Sequence, residues 1–331
     1  MKKCVFILLF SAFCLKNGLN AQSVADLTRQ ITAEKTTDSA KVEAIYEWLI
    51  RNVAYDNKHK YRREGDTTLW QEPYNVVVLK KAVCMGYAKT FREMCRLIGV
   101  KAVVVEGKPK SSPNGFVERE GHAWNAVQLN NNWHLLDATW DANGVNSEKK
   151  YFLSPPSVFI ENHWPQDPMW QLLTTPISFN CFAYKRDCAT PPTTPSFNFS
   201  DTIRLWQSLD ASQQLYNQSV RMHAFNPNDV EALRGLANYY GLQVVNNYAR
   251  YAAIRQAVTE KKRLPNDKDA VLKLLNDIEN DLKAAQTQYE KIATFAKIGE
   301  YTDAHLNAET MAEMLNTLAK ERAYVVQYFK N

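Results

Sequence analysis

Cys84 is the residue whose setting carries the most chemistry. It opens an apolar stretch with helical spacing, Val83-Cys84-Met85-Gly86-Tyr87-Ala88-Lys89-Thr90-Phe91. Two more reactive groups follow in order: a histidine within Gly121-His122-Ala123-Trp124-Asn125-Ala126-Val127, and an aspartate within Trp133-His134-Leu135-Leu136-Asp137-Ala138-Thr139-Trp140. Together they are the parts of an activated cysteine nucleophile: a thiolate to attack, an imidazole to carry the proton, a carboxylate to orient the imidazole.

The elements that must position them can be read from spacing. Cys84, Tyr87, Ala88, Phe91, Met94, Cys95 and Ile98 fall on one face of a 3.6-residue period, and Gly99 supplies a C-terminal stop. Cys84 is therefore expected in the first turn of a helix. There the unpaired backbone N–H groups and the positive end of the dipole favour an anion and could hold a developing oxyanion. Cys95 reads as a small buried hydrophobe. A rise of about 16 Å separates it from Cys84, too far for a disulfide.

The histidine and aspartate runs both look like strands. If Asn130-Asn131 is a two-residue hairpin turn, Leu129 faces Asn132, Thr139 faces His122, and Asp137 lies two residues away on the same face. That diagonal is about 7 Å between β-carbons, within reach of an Asp–His hydrogen bond. A three-residue turn without a bulge would place the two on opposite faces. His59, His134, His223 and His305 read as structural.

The segments VCMGYAKTF, GHAWNAV and WHLLDATWD resemble the three motifs of the transglutaminase-like superfamily, whose members share a papain-like Cys-His-Asp arrangement. Carried over by position, Cys84 matches the nucleophile, His122 the base and Asp137 the orienting acid. The run Ala44–Ile50 through Tyr55-Asp56 resembles the helix before that core, and Tyr151-Phe152-Leu153 with His163-Trp164-Pro165 the segment after it. The latter looks most like the kyphoscoliosis-peptidase and cytokinesis-protein branch. The resemblance covers roughly residues 38–180 and implies an α+β fold: a transglutaminase-like (papain-like) core with an antiparallel sheet and an N-terminal catalytic helix.

Activity is implied less narrowly. The family holds transamidating enzymes, cysteine peptidases, peptide N-glycanases and copies that only bind. The paired Cys-x-x-Cys zinc motifs of a peptide N-glycanase are missing, and the remaining Cys and His have no metal-site spacing, so no metal or cofactor is expected. The leading expectation is a cysteine acyl-transfer enzyme, peptidase or transamidase, acting on protein or peptide amides through a Cys84 thioester. The alternative is a noncatalytic module that keeps the fold to bind protein or cell wall. Trp124, Trp140 and Tyr87 are candidates for the substrate groove. So is Gln71, the nearest amide before Cys84, whose plainer account is a solvated loop position.

Met1-Lys2-Lys3, an apolar run from Val5 to Phe13 and Leu19-Asn20-Ala21 before Gln22 read as a secretory signal cut after Ala21, which implies a secreted or periplasmic protein. Phe13 is too bulky to precede a lipid-bearing Cys14. No later run of about 18 apolar residues could span a membrane. The leader contains three Lys and no acid, so the formal net charge of +5 becomes +2 on cleavage, a balance that points to no nucleic-acid partner. Of the four cysteines then left, Cys181 and Cys188 are a candidate disulfide, while Cys84 must stay unpaired to react.

Composition divides the mature chain. Residues 22–188 hold the Trp- and Tyr-rich motifs; Ala189-Thr190-Pro191-Pro192-Thr193-Thr194-Pro195-Ser196, with Phe197, reads as an extended linker. Residues 198–331 are rich in Ala, Leu, Lys, Glu and Gln. Helical periodicity over Asp229–Tyr240, Val271–Ile292 and Ala308–Phe329 predicts an all-α domain with a surface for a protein partner.

Overall fold

The computed structural model describes residues 23–58, 71–118, 120–142, 149–186, 188, 197–226, 229–259, 268–296 and 308–329. The expected leader and residues 189–196 of the expected linker lie outside them. The chain divides into two compact units, one running to Gln166 and including Trp170–Leu173, the other comprising Asp167–Met169 and everything from Thr174 onward.

In the first unit, helix α1 (Val24–Thr32) starts at Ser23, whose hydroxyl accepts from the Asp26 amide, and α2 (Asp38–Asn52) starts at Thr37 in the same way. Strand β1 (Ala54–Tyr55), helix α3 (Pro73–Leu79) and strand β2 (Lys81–Ala82) follow, β1 and β2 pairing in parallel. Helix α4 (Cys84–Leu97) leads into β3 (Ala102–Pro109), β4 (His122–Leu129) and β5 (Asn132–Leu136). After the short helices α5 (Ala138–Ala142) and α6 (Pro156–Phe159), strand β6 (His163–Pro165) completes an antiparallel sheet of order β5-β4-β3-β6.

The Asn-Asn hairpin forms as the sequence suggests. Asn130 and Asn131 take positive φ of 49° and 64°, and pairing runs from Leu129↔Asn132 to Asn125↔Leu136. Asparagine tolerates this left-handed region, and the resulting turn matches the twist of the strands. The pairing stops short of His122, however. Asp137 leaves the strand because one of its carboxylate oxygens accepts from the Thr139 and Trp140 amides, starting α5 there. Thr139 therefore does not pair with His122, and Trp140 lies on a helix rather than a strand.

The core of this unit joins Ile45, Tyr46 and Leu49 of α2 to Phe91, Met94 and Cys95 of α4 and to Val127, Leu129 and Leu136 of the sheet. Each such fully buried side chain contributes about 1.5–3 kcal/mol. This packing fixes α4, and so Cys84, against β4.

Gly86, one turn into α4, shows how tight the fit is. A β-carbon there would lie 2.2 Å from Gln71 Oε1 and 2.8 Å from Ala82 Cβ. Gly86→Ala should accordingly destabilise the protein by about 1–3 kcal/mol in denaturant unfolding, and by clearly less in a Gln71→Ala background. Equal costs in the two backgrounds would mean that Gln71 is not what the methyl group meets.

The second unit is helical: α7 (Phe179–Tyr184), α8 (Phe199–Gln207), α9 (Ala211–Phe225), α10 (Val230–Thr259), α11 (Lys268–Ala296) and α12 (Ala308–Tyr328). Val244 and Tyr251 of α10, Leu275, Ile278 and Leu282 of α11, and Leu318 and Val325 of α12 form its core. Buried Asp167 takes a two-pronged ion pair from Arg221 of α9, with N–O distances of 3.1 and 2.7 Å. Cys181 and Cys188 are disulfide-bonded. No helix among the described residues is long and apolar enough to cross a membrane.

Candidate active site

Cys84 is the first residue of α4 and is half-buried and free. The residue before it, Val83, is extended, and its amide donates to Gln71 Oε1 at 3.1 Å. The helix N-terminus therefore begins at the thiol, with no side chain capping it. His122 opens β4, and its Nε2 lies 2.6 Å from Asp137 Oδ2. Nδ1 is thus the nitrogen that Asp137 leaves open, and Cys84 lines the same cleft as His122.

Cys84 and His122 open onto a cleft of about 380 Å³, walled also by Tyr55, Glu118, Glu120 and Trp140. Behind His122 the environment is closed, since Asp137 and His163 are fully buried. Asp137 accepts at both oxygens: Oδ1 from the Thr139 and Trp140 amides at 2.8 and 3.3 Å, Oδ2 from His122 and from His163 Nε2, the latter at 3.0 Å.

These contacts set the charges. Burial alone would lower the His122 pKa, but the charge and hydrogen bond of Asp137, helped by Cys84, outweigh it and lift the value to about 10. For Asp137, burial pushes upward and is overcome by His122 and then His163, so its carboxyl is held far below the usual range. His163 goes the other way: burial dominates its bond to Asp137 and lowers it to about 4.

Residues 25–138 match the family model described as the transglutaminase-like superfamily. This chain carries a transglutaminase-like domain. Kyphoscoliosis peptidase of Mus musculus is 33% identical over 185 residues, 52% of this chain and 27% of that protein. Hillarin of Drosophila melanogaster is 27% identical over 188 residues, 49% of this chain and 22% of that protein. Cytokinesis protein 3 of Schizosaccharomyces pombe is 24% identical over 155 residues, 44% and 17% respectively. The match spans about a quarter or less of these relatives' length. The branch suggested by the His163-Trp164-Pro165 segment is thus among the matches.

The transglutaminase-like domain treats the four groove candidates differently. Trp140 lines the cleft, its ring 5.4 Å from that of His122. Trp124 is buried behind the histidine, against Phe159 and His163. Tyr87 is buried with its hydroxyl donating to the Val53 carbonyl. Gln71, instead of a solvated loop position, is 3% exposed beneath the first turn of α4, its Nε2 without a partner among the described residues, and it is not among the cleft's lining residues.

Asp141 is a second buried acid, on α5 four residues after Asp137. It accepts from the Tyr46 hydroxyl and the Tyr151 amide, and burial raises its pKa to about 6.

His163 has a place at the site that sequence reasoning did not assign. Its only signal was membership of the segment that follows the three motifs. His122, Asp137 and His163 hold their ligand atoms within 4.8 Å of one another, which is also the composition of a small metal site. Their N···O distances of 2.6 and 3.0 Å are those of hydrogen bonds. Zinc would need about 2.0–2.2 Å to each atom and would take the His122 nitrogen that Asp137 orients. The set fits a hydrogen-bonded network better than a metal centre.

Stability should report the buried His163. An unfolded chain protonates this histidine near pH 6.5, whereas the folded protein excludes the proton down to about 4, so stability is lost as pH falls through that window. Unfolding free energies measured at pH 7 and pH 4 should drop by about 3 kcal/mol more in the wild type than in His163→Gln. Parallel curves would mean that His163 is already charged in the native state.

Proposed function

We propose that the transglutaminase-like domain is a cysteine acyl-transfer enzyme, of peptidase or transamidase kind, acting on amides of proteins or peptides. The observation that carries this reading is the setting of His122: its Nε2 is held by buried Asp137, which leaves Nδ1, and Cys84 lines the same open cleft at a helix N-terminus. Cys84 Sγ attacks the amide carbon, and backbone N–H groups at the start of α4 face the developing oxyanion. The imidazolium of His122 then gives its proton to the leaving nitrogen as the C–N bond breaks, leaving a thioester on Cys84. Water or an amine, losing a proton to His122, attacks the thioester and restores the thiol.

The secretory leader and the Cys181–Cys188 disulfide support a secreted or periplasmic site of action. The mature protein isolated from its host should begin at Gln22 in N-terminal sequencing, and an intact Met1 would withdraw that address. In this reading the helical unit, which runs from Thr174 onward, offers a docking surface to a protein partner.

The reaction is tested by incubating the full chain with a protein substrate such as casein, with and without a dansylated primary amine. Amine incorporation assigns a transamidase, peptide release alone a peptidase, and each should vanish in Cys84→Ser. A folded protein that does neither across several substrates, and forms no acyl adduct on Cys84 by mass spectrometry, would favour the binding module instead.

A further inference from the structure

We propose that His163 is a positioning residue of this site: it donates Nε2–H to the Asp137 oxygen that His122 also uses, and so pins the carboxylate that aims His122 at Cys84. The inference rests on the acyl-transfer reading for its functional meaning, but its geometry stands apart from it.

The sheet brings the two histidines together. His122 pairs with Gly107 and Gly107 with Pro165, so these three lie in one line across β4, β3 and β6. His163, two residues before Pro165, shares their face of the sheet. Gly107 permits this closeness, because a β-carbon there would fall 2.1 Å from the Trp164 carbonyl oxygen and 2.5 Å from the Trp124 ring. The His163 ring is then held on all sides, its centroid 4.2 Å from that of Phe159, 4.3 Å from Trp140, and 5.1 Å from both Trp124 and Tyr151.

Hydrogen-bond accounting assigns the role. Asp137 Oδ1 is committed to the two backbone amides at the start of α5. Without His163, Oδ2 would have His122 as its sole side-chain donor, and the carboxylate could turn with it. With His163, Oδ2 has a second donor that does not move with His122, and the carboxylate is held against following His122 into another orientation.

The far side of the ring is anchored as well. His163 Nδ1 lies 2.8 Å from Asn162 Oδ1, and Asn162 Nδ2 donates to the Tyr151 hydroxyl at 2.7 Å. For a neutral ring with its proton on Nε2, Nδ1 must accept. A half-turn of the Asn162 amide supplies that donor and lets the other end accept from Tyr151, with all spacings kept.

Two variants separate positioning from bulk structure. A glutamine at 163 places its amide nitrogen where Nε2 stood, whereas the shorter asparagine reaches only to the place of Nδ1. The rate of Cys84 alkylation by iodoacetamide at pH 6 should fall roughly tenfold or more in His163→Asn and recover most of the wild-type rate in His163→Gln, each measured below its melting transition. Equal rates in all three proteins, or an equal loss in both variants, would overturn the assignment.

Long-range ¹H–¹⁵N spectra of the wild type decide the matter even if a variant fails to fold. His163 should appear at pH 7 as the neutral Nε2–H tautomer; an Nδ1–H tautomer would turn a lone pair toward Asp137 and refute the proposal. That spectrum does not depend on turnover, so an inactive protein with the expected tautomer would count against the enzyme reading and leave the placement of His163 standing.

Discussion

Replacing Cys84 with alanine should abolish turnover, by roughly 10⁴–10⁶-fold in kcat, while leaving the fold nearly as stable as before. The loss is large because no other reactive thiol is at hand: Cys95, the other free thiol among the described residues, is buried in the core and its pKa is pushed up by that burial. The fold is spared because Cys84 is half-buried at the first position of α4, which has no side-chain cap to lose. Its removal should cost no more than about 1 kcal/mol. Thermal melts beside a peptide-release or amine-incorporation assay check both halves of the statement. Substantial activity in a folded Cys84→Ala protein would remove the nucleophile from the account.

Asp137→Asn should have the next largest effect, lowering kcat/KM by roughly 10²–10⁴-fold. The carboxylate accepts four hydrogen bonds, and an amide cannot reproduce them. If its oxygen stays with the Thr139 and Trp140 amides, its NH₂ confronts two imidazole N–H donors. His122 must then move its proton to Nδ1, where it can no longer receive one from Cys84. If the amide turns the other way, the two buried backbone donors lose their acceptor, at about 1–3 kcal/mol.

The charge on the histidine should change as well. With Asp137 gone, the His122 pKa should fall from about 10 toward or below its ordinary 6.5, because the burial that lowers it is then poorly opposed. The pair also leaves a mark on stability. Asp137 contributes fully above its unfolded pKa near 3.8, and His122 fully below 6.5, fading as pH rises toward 10. The pair's contribution should thus be complete between about pH 4 and 6.5, where wild type and Asp137→Asn differ most through it. A fully active Asp137→Asn protein would require another acid, and Asp141 is occupied by Tyr46 and the Tyr151 amide.

What sequence could show here was local. The apolar spacing after Cys84 and the stop at Gly99 define α4, and Asn130-Asn131 define a hairpin whose register brings Asp137 to the His122 side. The exact end of β5 was not readable, because it depends on the Asp137 carboxylate bonding forward to two amides rather than on strand propensity. Trp140 was placed on a strand for that reason.

His163 escaped notice because its role depends on pairing between β3 and β6, which are more than fifty residues apart in sequence. Gln71 and Trp124 are polar or amphipathic groups near the motifs, and only packing shows that both turn inward. The long helices of the second half follow their periodicity. The shorter α8 and α9 passed unremarked, although Asp210 and Gln213 form the reciprocal cap that begins α9.

The central claim is that His122, oriented by Asp137, makes Cys84 a nucleophile. Its most direct test is the second-order rate of Cys84 alkylation by iodoacetamide at pH 6, located by peptide mass spectrometry, in the wild type and in a folded His122→Ala protein. The account predicts that the wild type reacts at least tenfold faster. Equal rates would show that the imidazole does not act on the thiol, and the site would then be a cysteine beside a histidine rather than a catalytic pair.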